Sequence, residues 1–435
     1  PIIGALMDRT NGKFGKFRPF MVIGNLIMAV SILVLYGLTP LIPASMEWAR
    51  YVAFVALYAI WVIGYTFQTS CTRSGQTVLT NDPKQRPIFA MCDTVYNIVL
   101  MNIMFPIIVT DVLVPKFTLT AEANAAEIAS LVAQNPALAG IVEKSGGSLS
   151  AFYNPGLFTT MQLMFGGLSA VFAVCAIIAL WRKDNPKYFG LGTTQKVGIK
   201  DYVDTLAHNR AIQMLVVSAS TDKLGSSAKS SAVMVAMFAC IAGSNLLQSN
   251  VTGLVTIPST IVCFLFISFF ATRLGQRKAM LIGSVGGLIT NGILAALWLF
   301  GDPTTMTSNP ETGALNWGYF LIIYLVFTII TAGFQGISGN IVIPMTADCA
   351  DYEVYRTGKY VPGLMGTLFS FVDKMVSSFA PMVAGIMFSM CGFTDHNPVM
   401  GDPVTPGLRM GVVFCAYGMI MLGLVCNLIA MKFYP

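Results

Sequence analysis

Charge is scarce in this chain. Only 11% of its 435 residues are Asp, Glu, Lys or Arg, while 55% are hydrophobic. An ordinary soluble domain carries about 25% charged residues, so a soluble globular fold is excluded. A polytopic all-α membrane protein is expected instead, in keeping with a mean hydropathy of +0.70. Histidine is scarcer still, with His208 and His396 far apart. A histidine metal site or a catalytic triad has almost no material, and no nucleophile–base or metal-ligand spacing stands out. The chain is therefore expected to be no enzyme and to hold no metal or cofactor. Nine cysteines are present, but none form a Cys-x-x-Cys pair, and Cys175, Cys240, Cys263, Cys415 and Cys426 fall inside apolar runs. Neither a zinc site nor a disulfide framework is indicated. Glycine (40) and methionine (25) are plentiful, as is ordinary in packed membrane helices.

A membrane-crossing helix needs about 20 mostly apolar residues. Spans are predicted at 20–43, 48–69 (its helix continuing to about Thr80), 88–114, 156–181, 211–242, 250–272, 279–301, 317–347, 362–391 and 410–430, with a helix fragment at 1–7. The connecting loops test this reading. When alternate loops are assigned to the cytoplasm, beginning with 8–19, the inner set holds 18 Lys and Arg and the outer set 4. That bias agrees with the positive-inside rule and fixes the orientation. Residues 1–181 are read as an N-terminal helical bundle, 182–210 as a polar, Lys-bearing cytoplasmic linker and 211–435 as a C-terminal six-helix bundle. The sequence Gly15-Lys16-Phe17-Arg18 before an apolar run is weakly echoed by Gly275-Gln276-Arg277-Lys278 before another, as expected of repeated halves. One outer segment, 115–155, is an insert. Its stretch 120–134 is predicted helical, with Thr120 as N-cap and Ile128, Leu131 and Val132 on one face. It reads as a cap on the outer surface or as an outer gate.

Ionisable groups inside spans are costly and mark pathways. Here they are Arg73, Asp93, Asp222, Lys223, Lys229, Asp373 and Lys374. Thr66, Thr69, Arg73 and Thr77 line one helix face; Arg73 either faces the bundle interior or snorkels to the inner interface. Residues 218–231 form the densest polar cluster in any span. Asp222, Ser226 and Lys229 share one face and Lys223 lies on another, a supply of donors and acceptors suited to a polyhydroxylated substrate. The alternative is an intrahelical Asp222–Lys229 or Asp222–Ser226 pairing that only packs helices. Gln335 and Asn340 are further candidates for the cavity. Lys374 needs an acid partner, and Asp373 points about 100° away around the helix. The segment 345–358 is read as a cytoplasmic loop in which Asp348, Asp351 and Arg356 either form gating salt bridges or stay solvated.

Three regions carry a family resemblance: residues 4–19, with Asp8-Arg9-Thr10 and Gly15-Lys16-Phe17-Arg18-Pro19; Ala347-Asp348-Cys349-Ala350-Asp351-Tyr352 with Thr357-Gly358; and Tyr65-Thr66 with Asn81-Asp82 beyond. Together they resemble the glycoside-pentoside-hexuronide:cation symporters of the major facilitator superfamily, typified by melibiose permease. The resemblance implies two six-helix bundles, with the first helix and part of the second preceding Pro1. A chain lacking them is expected to couple poorly. By motif, Thr66 resembles the fourth-helix Thr of the permease's sodium site and Lys374 its eleventh-helix Lys. Thr69 falls where that permease carries an Asp, a departure that leaves sodium or protons as coupling ion. Asp8 and Arg9, with Asp348, Asp351 and Arg356, are the gating candidates.

These readings converge on a secondary transporter in the inner (plasma) membrane, a monomer carrying a sugar with a monovalent cation and binding no nucleic acid. Four cations inside spans face three acids, which favours an anionic sugar such as a hexuronide. A lysophospholipid or other amphiphile carrier of the same fold is the nearest alternative, and a non-transporting sugar sensor a second.

Overall fold

Apolar runs in lipid have only their own backbone to satisfy their N–H and C=O groups, so they must fold as helices. The computed structural model describes residues 2–10, 12–43, 46–80, 82, 85–134, 138–144, 147–185, 199–244, 247–306, 315–358, 361–394 and 397–435. In chain order its main helices are α1 (Ile2–Arg9), α2 (Arg18–Leu38), α3 (Glu47–Leu79), α4 (Arg86–Asn97), α5 (Ala121–Gln134), α6 (Pro155–Leu180), α7 (Ile199–His208), α8 (Arg210–Ala228), α9 (Ser231–Val235), α10 (Leu247–Phe266), α11 (Gln276–Phe300), α12 (Tyr319–Thr357), α13 (Pro362–Ser377), α14 (Ala380–Met390), α15 (Pro406–Val413) and α16 (Met419–Phe433). Extended pairing among the described residues is limited to two isolated bridges, Gly12 with Gly15 and Leu119 with Leu149.

Eight stretches of helix among the described residues are long and apolar enough to cross a membrane, and a bent pair after α7 makes a ninth. The predicted span at 88–114 is helical but not uniformly α. α4 passes into π turns at Ile98–Met104 and again at Ile107–Leu113, on either side of Pro106. Proline has no N–H to give and crowds the preceding turn, and wider turns relieve that crowding. Large apolar side chains such as Val22, Leu26, Val30 and Leu33 of α2 remain exposed, the surface a bilayer would cover.

The described chain falls into two compact units. One comprises Pro1–Ala5, Thr80–Ile98 and Leu191–Pro435, and the other Leu6–Leu79 and Val99–Gly190. The first unit thus takes α4 from the first half of the sequence. Its interior has two apolar clusters, one around Ile212, Met280, Ile341, Leu364 and Met431, the other around Phe238, Trp298, Tyr324, Phe388 and Tyr417. Buried polar residues also tie its helices together: Ser218 Oγ donates to Asn427 Oδ1 at 2.5 Å, and Asn427 Nδ2 donates to Ser284 Oγ at 2.7 Å. These bonds link α8, α16 and α11.

In the second unit α2 and α3 pack closely. A Cβ on Gly24 would lie 2.9 Å from the Gly64 carbonyl oxygen, and one on Gly64 would lie 2.8 Å from that of Gly24. Small residues at such a crossing let helix backbones approach in a membrane. The insert holds the predicted helix, α5. Ile128 is buried with Leu119, Leu138 and Leu149, and Leu131 and Val132 pack against them. The predicted face is therefore the one that packs. Asn135 and Pro136, the predicted helix stop, lie outside the described residues.

Candidate functional site

The densest polar cluster of the sequence lies where a helix fails. Residues 211–242, predicted as one span, fold as two helices bent by 46°. α8 opens on Asn209, whose side chain accepts from the Ile212 N–H at 3.1 Å. It ends at Lys229 (φ −73°, ψ 54°), and Ser230 (φ −68°, ψ 169°) starts α9. The run of serines explains the break, because their hydroxyls offer the backbone alternatives to helical bonding. Ser226 Oγ, for instance, bonds the Lys223 carbonyl at 3.0 Å. Gly225 allows the tight packing of α8 on α16, since a Cβ there would lie 2.7 Å from Ile420 Cα.

The break changes the expected constellation. Asp222 and Ser226 keep helical spacing, but Lys229 leaves it. Asp222 and Lys229 are half-buried, Lys223 and Ser226 exposed. The expected alternative of intrahelical pairing is not observed: among the described residues no salt bridge joins Asp222 to Lys229, and Ser226 bonds the backbone instead. Lys229 Nζ sits 5.0 Å from the ring centroid of Tyr417. α13, packed against α8, carries buried Asp373 and exposed Lys374, and Asp373 is close enough to Asp222 to interact electrostatically. On α12, Gln335 and Asn340 are half-buried. Asn340 Nδ2 donates to the Gly336 carbonyl at 2.8 Å, which leaves its side-chain oxygen for another partner.

Thr66 and Thr69 belong to the second unit, on α3. Thr66 Oγ1 donates to the Val62 carbonyl at 2.7 Å and Thr69 Oγ1 to the Tyr65 carbonyl at 3.0 Å. A hydroxyl bound this way still has lone pairs for a cation. The side chain of Arg73 lies outside the described residues. Four rings of α3, Phe54, Tyr58, Trp61 and Tyr65, stack in succession at 5.9, 5.9 and 5.5 Å. Their i, i+4, i+7, i+11 spacing is legible in the sequence.

The segment 345–358 is not the loop expected. α12 continues to Thr357 and stops at Gly358, whose φ of +72° closes the helix. Three residues apart on this helix, Asp348 and Asp351 share a face. Both pair with Arg86 of α4, whose side chain is fully buried. Arg356 does not join them. It pairs with Glu353 at 2.9 Å, and Glu353 also accepts from Asn209 Nδ2 at 2.7 Å. Sequence reasoning did not connect Arg86 to Asp348, which lies 262 residues away, nor Glu353, one of the three acids of the segment, to Asn209, 144 residues away.

The remaining gating candidates are in the second unit's 8–19 loop. Asp8 is buried and pairs with Lys16 at 3.3 Å, while Arg9 is exposed. Burial pushes the Lys16 ammonium below its ordinary range, an effect opposed by Asp8 and Asp184. α2 starts on Phe17, which has no side-chain acceptor for the first N–H groups. Asp184 supplies one: Oδ1 accepts from Lys16 N at 2.7 Å, and Oδ2 from Phe17 N and Arg18 N at 3.0 Å each. Arg18 also lies 3.5 Å from Asp184 Oδ2 and stacks over Trp181 at 4.6 Å. Gly15 has φ +85°, and a Cβ there would come within 2.6 Å of the Asp184 carbonyl oxygen. A helix start without its own cap signals a distant acceptor, a cue the sequence did contain.

Among the described residues no group of three His, Cys, Asp or Glu could hold a metal. A span thus breaks at polar residues, and ion pairs gather at the C-terminal end of α12. A family model for MFS/sugar transport proteins matches residues 1–435. The chain belongs to that family. This sugar transporter is 22% identical over 446 residues to the glucuronide carrier protein homolog of Escherichia coli K12, covering 99% of this chain and 80% of that one. It is 23% identical to the uncharacterized symporter YjmB of Bacillus subtilis 168, over 91% of this chain and 72% of that one. Over 20% of its length it is 31% identical to 14% of the lactose permease of Leuconostoc lactis. These relatives are carriers and symporters, not enzymes, and the glycoside-pentoside-hexuronide:cation symporter resemblance stands. The transporter is a multi-pass membrane protein.

Proposed function

We propose that this sugar transporter is a cation-coupled symporter of the inner membrane that carries a carboxylate-bearing sugar by alternating access. The observation that supports it most is the Asp222–Lys229 region, where a span breaks at a run of hydroxyls and, among the described residues, Lys229 makes no salt bridge. Discontinuous helices are where transporters of this kind place substrate groups. The Escherichia coli relative is named a glucuronide carrier homolog, which favours the same substrate class. Thr66 and Thr69 are the proposed cation ligands, and sodium or a proton the coupling ion. In the proposed cycle the Arg86 pair with Asp348 and Asp351 holds the inner end closed, and its release opens that end.

The test is uptake of a labelled glucuronide into vesicles containing the protein, driven in turn by a sodium and a proton gradient, with neutral glycosides as competitors. Saturable, gradient-driven uptake that neutral sugars do not block is expected. Block by neutral sugars moves the substrate to a glycoside or pentoside. Sugar binding without accumulation sinks the symport reading in favour of a sensor, and failure to bind sugar at all favours an amphiphile carrier.

A further inference from the structure

The two lysines of the α8 region hold unlike positions. Lys223 lies in regular helix and is exposed. Lys229 terminates the helix, is half-buried, and rests its ammonium 5.0 Å above the Tyr417 ring. Tyr417 is itself buried, within a π turn at Phe414–Gly418. Beneath it Phe238, Trp298 and Tyr324 pack edge to face, with centroids 5.7 to 6.0 Å apart. The ring is therefore a fixed platform.

A ring attracts an ammonium through its quadrupole but carries no net charge and accepts no strong hydrogen bond from it. The three N–H donors of Lys229 are left in need of an acceptor. Among the described residues no carboxylate lies within salt-bridge distance of Nζ. Asp222 sits seven positions earlier, with Lys223 and Asp373 as its charged neighbours. A lysine inside a span without an acid partner is expensive, and the expense is removed when an anion binds.

We infer that Lys229 is the residue that recognises the carboxylate of the sugar, with Tyr417 positioning it. The inference rests on the sugar-symport reading and deepens it. A single ammonium matches a single negative charge, hence a uronic acid, whereas a phosphate ester calls for a cluster of cations or a bidentate arginine. The cation–π contact places the ammonium without saturating it, and the break at Lys229–Ser230 takes the residue out of the helical ladder.

The experiment compares an aryl glucuronide with the matching aryl glucoside, which differ only in carboxylate against hydroxymethyl at C6, in vesicles holding the protein. Wild type is expected to prefer the glucuronide. Lys229→Gln should cut that preference about ten- to a hundredfold, the weight of a charged hydrogen bond, with glucoside uptake within about twofold, the small effect expected away from a lost contact. Lys229→Arg should retain part of it, Tyr417→Leu should lower it, and Lys278→Gln, a charge loss at an exposed inner position, should leave it unchanged. A wild type that transports both sugars equally, or a Lys229→Gln protein with undiminished preference, overturns the inference while leaving sugar symport standing. A wild type that takes up neither sugar overturns the symport reading itself, and this inference with it.

Discussion

Two groups of charges in the first unit, one at the C-terminal end of α12 and one at the break after α8, meet different surroundings. Asp348 and Asp351 share the buried guanidinium of Arg86, and Glu353 has both Arg356 and Asn209. Lys229 has a ring, and Asp222 has Lys223 of its own helix and the repelling Asp373 as charged neighbours, with no salt bridge to either among the described residues. The difference follows from where an acid can be placed. At a helix end a carboxylate can reach a neighbouring helix or water. In mid-span its partner must be built into another helix at the same depth, and leaving that partner out creates a vacancy a substrate can fill. Fully paired charges hold one conformation, and incompletely paired ones respond to a ligand. The second unit belongs with the first kind: Asp184 is surrounded by three N–H donors and Arg18.

The comparison breaks most visibly at Asp184. It is buried with its donors, so Asp184→Ala leaves three N–H groups without their acceptor and takes the carboxylate from Arg18, which keeps only the Asp184 carbonyl and the Trp181 ring. Removing one partner of a buried pair costs about 3–5 kcal/mol, and thermal unfolding of the purified protein in detergent should show it. A melting curve like that of wild type would show that the cap is dispensable. Arg86→Ala should cost less, about 1–3 kcal/mol, because its partners Asp348 and Asp351 are 27% and 47% exposed and can take up water. Its larger effect should be on the cycle. If the pair holds one end closed, as proposed, accumulation should fall about tenfold without it, equivalent to about 1.4 kcal/mol in the balance of states, while sugar binding persists. Binding and accumulation lost in equal measure would mean that Arg86 is merely structural.

Much of the fold is legible in the sequence, because lipid forces long apolar runs into helices. All ten predicted spans are occupied by helix, and the packed face of the insert was correctly read from Ile128, Leu131 and Val132. Two local features were not anticipated. The break at Lys229 depends on several serines competing with the backbone at once, and hydropathy averages over them. The extension of α12 to Thr357 was hidden because Asp348, Asp351 and Glu353 look like loop residues until their partners on α4 and before α8 are known. Partner choice is a property of the tertiary structure, so the sequence could name Asp348 and Asp351 as gating candidates but could not supply Arg86.

The mildest substitution sharpens the comparison most. Thr66 gives its proton to the Val62 carbonyl, so it is committed as a donor yet open as an acceptor. Thr66→Val removes a hydroxyl whose bond stays within its own helix, and the valine is close in shape. Stability should change by no more than about 0.5 kcal/mol, as for substitutions away from packing defects and unpaired charges. If the lone pairs of Thr66 hold the coupling ion, the stimulation of uptake by a sodium or proton gradient should fall about tenfold, within the usual range for coupling between two ligands. Thr66→Ser, which restores the oxygen without the methyl, should recover it. Undiminished gradient stimulation in the valine variant would exclude Thr66 as an ion ligand and turn the search to Asp222 and Asp373, the acids beside the break.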